Sequence, residues 1–485
     1  MSASRRRIVL AVTMAAILGA GPAGAESALA RSPEVAAAIA VLDAWLEASR
    51  VSKEEPGMSV AIVHDQEVVW AKGYGEADRA RHLKATPETL YRIASVSKLF
   101  TATAILQLRD AGQLGLDDPV SKHLAWFKVA SPEGRPITIR HLLTHTSGLP
   151  RELPLSYWND LVFPSREEMV RLVGSTDAVF PPETEWKYSN LALAIAGEVV
   201  AAVAGEPYEG YVQRRILDPL GLSATLVQPR AGAPGLAIGY RRRAPGLARE
   251  PEDFLDTRAL APAANFASSV LDLARLLALQ MRDGRAGGAQ ILAGSTLREM
   301  HRPQWLRADW LSGQGLGFWL RRVKGQLLIG HDGAVPGFRS EVDFDPVTKM
   351  GAIVLSNAYD ADPRAYVDQA FAIVGPALAR ATEKPRAVPS PDPAWAKYVG
   401  TYSWKHADVQ ILILGGELFM IVPEATNPWD SKVRLAPVGP HTFKMIGGSG
   451  NGELLRFELD ASGRVTRLVA GSYYRLRVPG EGETR

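Results

Sequence analysis

The sequence predicts an α/β fold, an antiparallel sheet flanked by helices, followed by a small closed β-barrel. Helical and strand-like patterns mix from about residue 31 to residue 380, as in a sheet covered by helices. Four prolines among charged and small residues then indicate a stiff linker at residues 381–394. At residues 395–485 the hydrophobic period switches to two, which is typical of short strands that close a barrel.

The elements of the first domain follow from hydrophobic periodicity and from turn and stop signals. Two apolar stretches separated by a polar turn, Met58–Val63 and Glu67–Ala71, predict a hairpin. Strong helix formers run from Ser97 to Ala111, and Gly112 ends that helix. The other predicted elements are the helices Leu191–Ala204 and Leu271–Met281 and the strands Gln326–Gly330, Ser340–Phe344 and Gly351–Ser356.

The second domain is predicted to hold eight short strands separated by turn signals. Gly415-Gly416 and Asp460-Ala-Ser-Gly463 each separate two alternating segments, which is the pattern of a hairpin. The predicted strands are Gly400–Tyr402, Val409–Leu414, Glu417–Val422, Val433–Val438, Thr442–Ile446, Leu454–Leu459, Arg464–Ala470 and Ser472–Val478.

Composition excludes several classes of function. The formal net charge is +3, and the three arginines Arg5–Arg7 account for it, so nothing indicates a nucleic-acid partner. The chain has no cysteine, which rules out disulfides, thiol nucleophiles and Cys-ligated zinc. Hydrophobic residues make up 46% of the chain, enough for a large core.

The first 25 residues have the pattern of an export signal. A basic start at Arg5–Arg7 precedes the apolar stretch Ile8–Ala20, and Ala23-Gly24-Ala25 offers small residues for cleavage. The apolar stretch is shorter than the roughly 20 residues that a bilayer span requires. We expect cleavage, a periplasmic or secreted protein, and no stable membrane span afterwards.

Ser95-Val-Ser-Lys98 is the strongest candidate for a nucleophile and its base. A serine hydroxyl needs a neighbouring base to attack at neutral pH. At the start of a helix, positions i and i+3 share a face, so Ser95 and Lys98 point the same way. The helix N-terminus adds free N–H groups that favour a developing oxyanion. Ser97 has no lysine three residues after it and is the weaker candidate.

Two further polar motifs follow along the chain. Tyr188-Ser-Asn190 precedes an apolar helix, and an ammonium beside Tyr188 would lower the phenol pKa from its usual value near 10. His331-Asp-Gly333, followed by Ala334, lies on or just after a strand, where a glycine allows close approach of a ligand.

His141 and His145 have a spacing that zinc ligands also use. No glutamate follows His141, as metalloprotease chemistry would need, so we expect a structural role for both. We predict no metal and no cofactor.

These motifs resemble those of the class C β-lactamases, D,D-peptidases, D-aminopeptidases and related esterases. The similarity covers most of the chain from Met58 to Asn357. The matching segments are Thr89–Ala102, Ile139–Pro150, Ile216–Leu222, Ser268–Ala274 and Gly330–Phe344. The resemblance implies a serine hydrolase domain with a helical subdomain at residues 31–380. The opening Val399-Gly-Thr-Tyr402 resembles the lipocalin-like C-terminal domains of some members.

The resemblance also implies roles for single residues. Ser95 would be acylated, Lys98 and Tyr188 would share acid and base work in an order left open, and Asn190 would hold Lys98 or the substrate amide. Backbone N–H groups of Ser95 and Ala334 would form the oxyanion hole.

His331 stands where the β-lactamases carry a lysine, which argues against β-lactamase activity. A neutral imidazole there could still donate one hydrogen bond, but would attract a carboxylate little.

The sequence therefore predicts an exported serine hydrolase acting on small peptides, D-amino-acid amides or esters. A penicillin-binding or sensor protein with little turnover and a true β-lactamase remain as alternatives.

Overall fold

A nine-stranded antiparallel sheet forms the centre of the first of two units, Met1–Thr382 and Glu383–Arg485. The computed structural model describes residues 27–244, 246–282, 289–383, 392–405, 407–425 and 431–479. The predicted signal segment, residues 1–25, and residues 384–391 of the predicted linker lie outside these ranges.

The strands of the first unit include the five that the sequence predicts, with β9 longer than expected. Their order in the sheet is β3-β2-β1-β11-β10-β9-β8-β7-β6, and β4 and β5 pair separately. The strands are β1 (Gly57–His64), β2 (Glu67–Asp78), β3 (Leu83–Lys84), β4 (Tyr91–Arg92), β5 (Ala267–Ser268), β6 (Trp305–Leu306), β7 (Ser312–Gln314), β8 (Trp319–Val323), β9 (Gln326–Val335), β10 (Phe338–Phe344) and β11 (Met350–Ser356).

Thirteen α-helices are described, all in the first unit. They are α1 (Pro33–Ser52), α2 (Ser97–Asp110), α3 (Val120–His123), α4 (Ile139–Thr144), α5 (Tyr157–Asp160), α6 (Arg166–Val173), α7 (Asn190–Ala204), α8 (Tyr208–Val212), α9 (Asp218–Leu220), α10 (Ala261–Ala264), α11 (Val270–Gln280), α12 (Gly294–Met300) and α13 (Pro363–Thr382).

Both faces of the sheet are covered, which explains the continuous apolar run Val60–Val63 in β1. Val60 and Ile62 pack in one core with α1 and α13, whereas Ala61 and Val63 pack in the other core with the remaining helices. Since side chains alternate along a strand, a strand covered on both faces has apolar residues at every position.

The residues of the candidate site lie at or just before the first turns of two helices, which pack together in the larger core. The buried helix α2 follows a short 3-10 turn, Ala94–Val96, that contains Ser95. Helix α7 begins at Asn190, where the Ser189 hydroxyl accepts from the Ala192 N–H at 3.0 Å. Gly205 caps its C-terminus with a φ of +69°, a left-handed conformation that glycine adopts without strain.

The second unit is a closed eight-stranded antiparallel barrel. Aromatic and aliphatic side chains fill its interior, and the Tyr398 and Phe457 rings stack with their centres 4.4 Å apart. Its strands are β12 (Gly400–Trp404), β13 (Ala407–Leu414), β14 (Glu417–Ile421), β15 (Val433–Gly439), β16 (Thr442–Ile446), β17 (Leu454–Leu459), β18 (Val465–Ala470) and β19 (Tyr473–Arg477). The predicted fold class, a helix-flanked antiparallel sheet followed by a barrel, is confirmed.

Within the described ranges, no single helix has the length and hydropathy of a membrane span. The stretches Asn190–Ala204 and Tyr208–Leu220 reach that length and composition only together, across a bend of 77°.

Candidate active site

Ser95 lies in a tightly held turn immediately before α2. Its neighbour Ala94 has a φ of +49°, which a residue with a side chain adopts only when its surroundings enforce it. The Ser97 hydroxyl donates to the Ala94 carbonyl at 2.6 Å, and the Ser340 hydroxyl donates to the Ile93 carbonyl at 2.9 Å. The turn is therefore fixed from α2 on one side and from β10 on the other.

The Lys98 amine is fully buried and makes three polar contacts. Its Nζ lies 2.8 Å from Asn190 Oδ1, 2.8 Å from the Ala263 carbonyl oxygen and 3.0 Å from Ser95 Oγ. The amide oxygen and the carbonyl can only accept hydrogen bonds. A neutral Lys98 therefore uses its two N–H bonds on them and turns its lone pair toward the Ser95 hydroxyl.

Burial lowers the pKa of Lys98 from 10.5 to about 7. Desolvation of the ammonium is the largest cause; the Glu152 carboxylate acts in the opposite direction, and the Arg151 guanidinium lowers the pKa further. A large fraction of Lys98 is therefore neutral at pH 7 and able to accept a proton.

The Tyr188 hydroxyl donates to Ser95 Oγ at 2.8 Å. Its pKa is raised above the usual value because burial disfavours the phenolate, although the hydrogen bond to Ser95 acts in the opposite direction. The sequence-based expectation of a lowered pKa is wrong, because desolvation is the largest influence on this phenol and it raises the pKa. Tyr188 is therefore a protonated donor in the resting site.

The two histidines considered as zinc ligands accept hydrogen bonds from the backbone, and His145 also packs against Tyr188. His145 Nδ1 accepts from the Ser189 N–H at 3.2 Å, and its ring packs 4.4 Å from the Tyr188 ring. His141 Nδ1 accepts from the Thr138 N–H at 3.1 Å at the start of α4. Among the described residues, no three acidic, histidine or cysteine side chains are placed to hold a metal ion.

His331 lies in the middle of β9 and is 1% exposed. Its Nδ1 is 2.6 Å from the backbone oxygen of Asp332, and its ring centre is 6.4 Å from that of Tyr188. Burial lowers its pKa to about 4, with the Asp332 carboxylate opposing the shift, so the ring is neutral at pH 7.

Gly333 and Ala334 occupy the part of β9 that extends beyond its pairing with β8, which ends at Gly330. Ala334 lines the cleft in front of Ser95. Close approach of a ligand at Gly333 stays a prediction, and the structure shows that the turn before Ser95 also packs against this glycine. A Cβ on Gly333 would lie 2.3 Å from the Ile93 carbonyl oxygen and 2.3 Å from Ser340 Oγ.

The cleft that Ser95 opens into has a volume of about 630 Å³. Aromatic rings form much of its wall, and the Arg307 guanidinium lies 4.7 Å from the centre of the Trp186 ring. The lining residues include Arg151, Glu152, Trp158, Trp186, Tyr188, Asn190, Trp319 and Tyr359. The arrangement brings a serine, a partly neutral amine and a phenol together at the floor of an aromatic cleft.

The family model described as Beta-lactamase matches residues 42–374. The chain belongs to the β-lactamase family. Its fold is accordingly that of the serine hydrolases related to β-lactamases and penicillin-binding proteins.

A curated relative covers a similar share of the chain. Protein flp of Staphylococcus aureus (strain COL) is 28% identical over 311 residues, which is 62% of this chain and 59% of that protein. The chain thus spans less than two thirds of the length of this family member.

Two solved structures share the fold. The octameric penicillin-binding protein homologue from Pyrococcus abyssi superposes with a TM-score of 0.63 at 24% identity, over 90% of this chain and 100% of that one. The class C β-lactamase from Rhodobacter sphaeroides gives a TM-score of 0.58 at 21% identity, over 69% of this chain and 98% of that one.

The motifs of the β-lactamase family did not reveal several residues of the cleft. Glu152 accepts from Asn190 Nδ2 at 2.6 Å and from the Tyr157 hydroxyl at 2.7 Å. It lies two residues beyond the family segment that ends at Pro150, in a loop whose conformation the sequence alone does not predict. Trp186 lies two residues before Tyr188, and its proximity to that motif was a usable signal. Trp319 lies on β8, and nothing in its sequence surroundings marks it.

Proposed function

We propose that this protein is a serine hydrolase that forms an acyl-enzyme at Ser95 and cleaves small esters, peptides or D-amino-acid amides. The observation that carries the proposal is the set of contacts at the Lys98 amine. With both N–H bonds held by Asn190 and Ala263, its lone pair has one polar neighbour left, the Ser95 hydroxyl at 3.0 Å.

In acylation, Ser95 Oγ attacks the substrate carbonyl carbon while its proton passes to Lys98. We assign the base to Lys98 because its pKa of about 7 suits proton transfer near neutral pH, whereas the pKa of Tyr188 is raised. Backbone N–H groups of Ser95 and Ala334 stabilise the negative charge on the carbonyl oxygen. When the bond to the leaving group breaks, Tyr188 supplies the proton that the leaving group takes up and recovers one from Lys98.

In deacylation, a water molecule attacks the ester carbonyl of the acyl-serine. Lys98, neutral again, takes the proton of the water, and the Ser95 oxygen leaves as the ester bond breaks. Proton return to Ser95 restores the resting site, and a carboxylic acid is released. A penicillin-binding or sensor protein would complete the first half of this cycle and stop at the acyl-enzyme.

A labelling experiment with turnover tests the proposal. The purified protein is treated with a fluorophosphonate, and the labelled peptide is identified by mass spectrometry, which separates Ser95 from Ser97. A panel of p-nitrophenyl esters, D-alanine p-nitroanilide and nitrocefin then reports turnover. We expect label on Ser95, ester or amide turnover, and loss of both in Ser95→Ala. A label on another residue would overturn the assignment, and a persistent acyl-enzyme would favour the sensor.

We also propose that the protein is exported and loses its first 25 residues. The basic and apolar start and the small residues at Ala23 and Ala25 support this. Mass spectrometry of the protein from its native host should show a first residue at Glu26 or shortly after. An intact Met1 would contradict it.

A further inference from the structure

A groove of about 1120 Å³ lies in the first unit and shares no lining residue with the cleft in front of Ser95. Residues 77–89, which include the β2–β3 hairpin turn, contribute one wall, and residues 232–240 and 248–251 contribute the other. Its volume is slightly above the range of about 300–1,000 Å³ that is typical of small-molecule sites. The acyl transfer proposed for Ser95 does not use this groove.

Backbone hydrogen bonds join the two walls. The Ile238 N–H donates to the Ala77 carbonyl at 2.8 Å. The Ala237 N–H donates to the Leu90 carbonyl, just beyond the hairpin wall, also at 2.8 Å. The side-chain amide of the buried Asn357 donates to the carbonyls of Ala77 and Ile238, at 3.3 Å and 3.0 Å. Since the walls are tied together in this way, the groove is preformed, as small-molecule sites usually are.

Apolar side chains line both walls of the groove. Leu236, Ile238 and Pro251 lie in one wall, and Leu83 of β3 lies in the other. Leu83 is 51% exposed, so a ligand that covered it would remove apolar surface from water. The groove therefore favours a ligand with an apolar chain.

Three basic side chains line the hairpin wall and are weakly paired. The side chains of Arg81 and Lys84 are 78% and 74% exposed, and their ion-pair contacts are long, at 3.7 Å and 3.4 Å. The Arg79 side chain forms no hydrogen bond or ion pair with a residue in the described ranges. Because exposed ion pairs of this kind contribute little to stability, the three cations are available to a ligand.

The acidic side chains of the groove do not cancel this charge. Asp78 is 8% exposed, and its Oδ1 accepts from two backbone N–H groups of the hairpin turn at 2.9 Å and 3.2 Å. Glu88 is exposed and is the second carboxylate of the lining. A fourth cation, Arg249, is paired with Asp360. Three exposed cations therefore stand against one exposed carboxylate, which favours a ligand with a negative charge.

We propose that this groove binds a single-chain amphipathic anion, a long-chain carboxylate, from solution. The apolar walls bury the chain, and Arg79, Arg81 and Lys84 attract the charged end. The groove is concave, so it suits a dissolved molecule that enters it rather than the surface of a bilayer. The site is separate from Ser95, and the proposal does not depend on the acyl transfer there.

Displacement of a fluorescent fatty acid tests the chemistry of the ligand. The purified protein is titrated with 11-(dansylamino)undecanoate, and unlabelled compounds then compete with this probe. Decanoate should displace it about tenfold more effectively than octanoate, because two more methylene groups are buried. It should also exceed 1-decanol about fivefold, since the alcohol keeps the chain and lacks the charge. Equal displacement by decanoate and 1-decanol would overturn the proposal.

Variants of exposed side chains assign the binding to the groove. Leu83→Asp should weaken probe binding about tenfold or more. Val347→Asp is the matched control and should bind normally, because Val347 is 85% exposed in the β10–β11 turn and does not line the groove. Arg81→Gln should weaken binding about two- to fivefold, and Glu88→Gln should strengthen it by removing a repelling charge. Equal binding by the two aspartate variants, or equal effects of the two glutamine variants, would contradict the assignment.

Photocrosslinking locates the ligand directly. A decanoate analogue that carries a diazirine in its chain is irradiated with the protein, and the modified peptides are identified by mass spectrometry. We expect label within residues 77–89 or 232–251 that excess decanoate suppresses. Label confined to the catalytic cleft, at residues such as Trp158 or Trp186, would overturn the groove as the site. The fluorophosphonate label on Ser95 is a separate measurement, so either proposal can fail while the other stands.

Discussion

Lys98 and Glu152 are joined through a single amide side chain. Asn190 Oδ1 is 2.8 Å from the Lys98 amine, and Asn190 Nδ2 donates to Glu152 Oε1 over 2.6 Å. The carboxylate thereby stabilises the lysine charge without contacting it. It also orients the Asn190 amide, so that its oxygen rather than its nitrogen faces Lys98.

The midpoint of the pH profile of turnover should therefore depend on the charged side chains around Lys98. Because the base must be neutral, kcat/KM should rise with pH to a plateau, with a midpoint near 7. Glu152→Gln removes a negative charge that raises the pKa of Lys98, so the midpoint should move to lower pH. Arg151→Gln removes a positive charge that lowers the pKa of Lys98, so the midpoint should move to higher pH. Initial rates between pH 5 and 10 measure both. Shifts in the same direction would contradict Lys98 as the base.

Tyr188→Phe should lower kcat by about 10² to 10⁴, the range for loss of a general acid or base. The midpoint of the pH profile should stay where it is in the wild type, because Lys98 still takes the serine proton. Stopped-flow and steady-state assays on one ester would measure the effect. If the profile loses its low-pH limb in this variant, Tyr188 rather than Lys98 is the titrating group.

His331→Lys should raise nitrocefin hydrolysis relative to ester hydrolysis. A cation at this position attracts the carboxylate of a penicillin-like substrate, an effect of about 4 kcal/mol at about 4 Å for an effective dielectric constant of about 20. The wild-type ring stays neutral down to about pH 4, so lowering the pH to 6 gives the wild type no such gain. The measurement is the kcat/KM ratio for nitrocefin over a p-nitrophenyl ester. An unchanged ratio would show that His331 does not select against carboxylates.

Gly333→Ala should destabilise the protein by about 1–3 kcal/mol, the usual cost of overpacking. The added Cβ would lie 2.3 Å from the Ile93 carbonyl oxygen and displace the turn that holds Ser95. Activity should fall with stability. Gly115→Ala is the control, because its Cβ would meet only ordinary contacts at 3.5 Å. Urea unfolding measures both, and equal stability of the two variants would contradict the close packing.

The sequence could predict the features of the fold that depend on local hydrophobic periodicity and on turn residues. The apolar run of β1, the helix after Ser95 and the eight barrel strands followed from period and turn residues, and the i, i+3 spacing placed Lys98 beside Ser95. It could not predict the contact of Asn190 with Glu152, because the loop that carries Glu152 takes its shape from residues distant in the chain. The direction of the Tyr188 pKa was missed for the same reason: burial is a property of the whole fold.

The buried amine of Lys98 also has opposite effects on the reaction rate and on the stability of the folded protein. In the unfolded chain this amine holds its proton up to about pH 10.5, whereas the folded protein releases it near 7. Below pH 7 the amine is charged in both the folded and the unfolded protein, and the folded protein is destabilised by the full free energy of removing an ammonium from water. This destabilisation decreases as the pH rises from 7 to 10.5, because the folded protein then releases the proton. A hydrolase of this design should be more resistant to heat in mildly alkaline solution. Lys98→Met, inactive but free of the buried charge, should melt at a higher temperature than the wild type at pH 6.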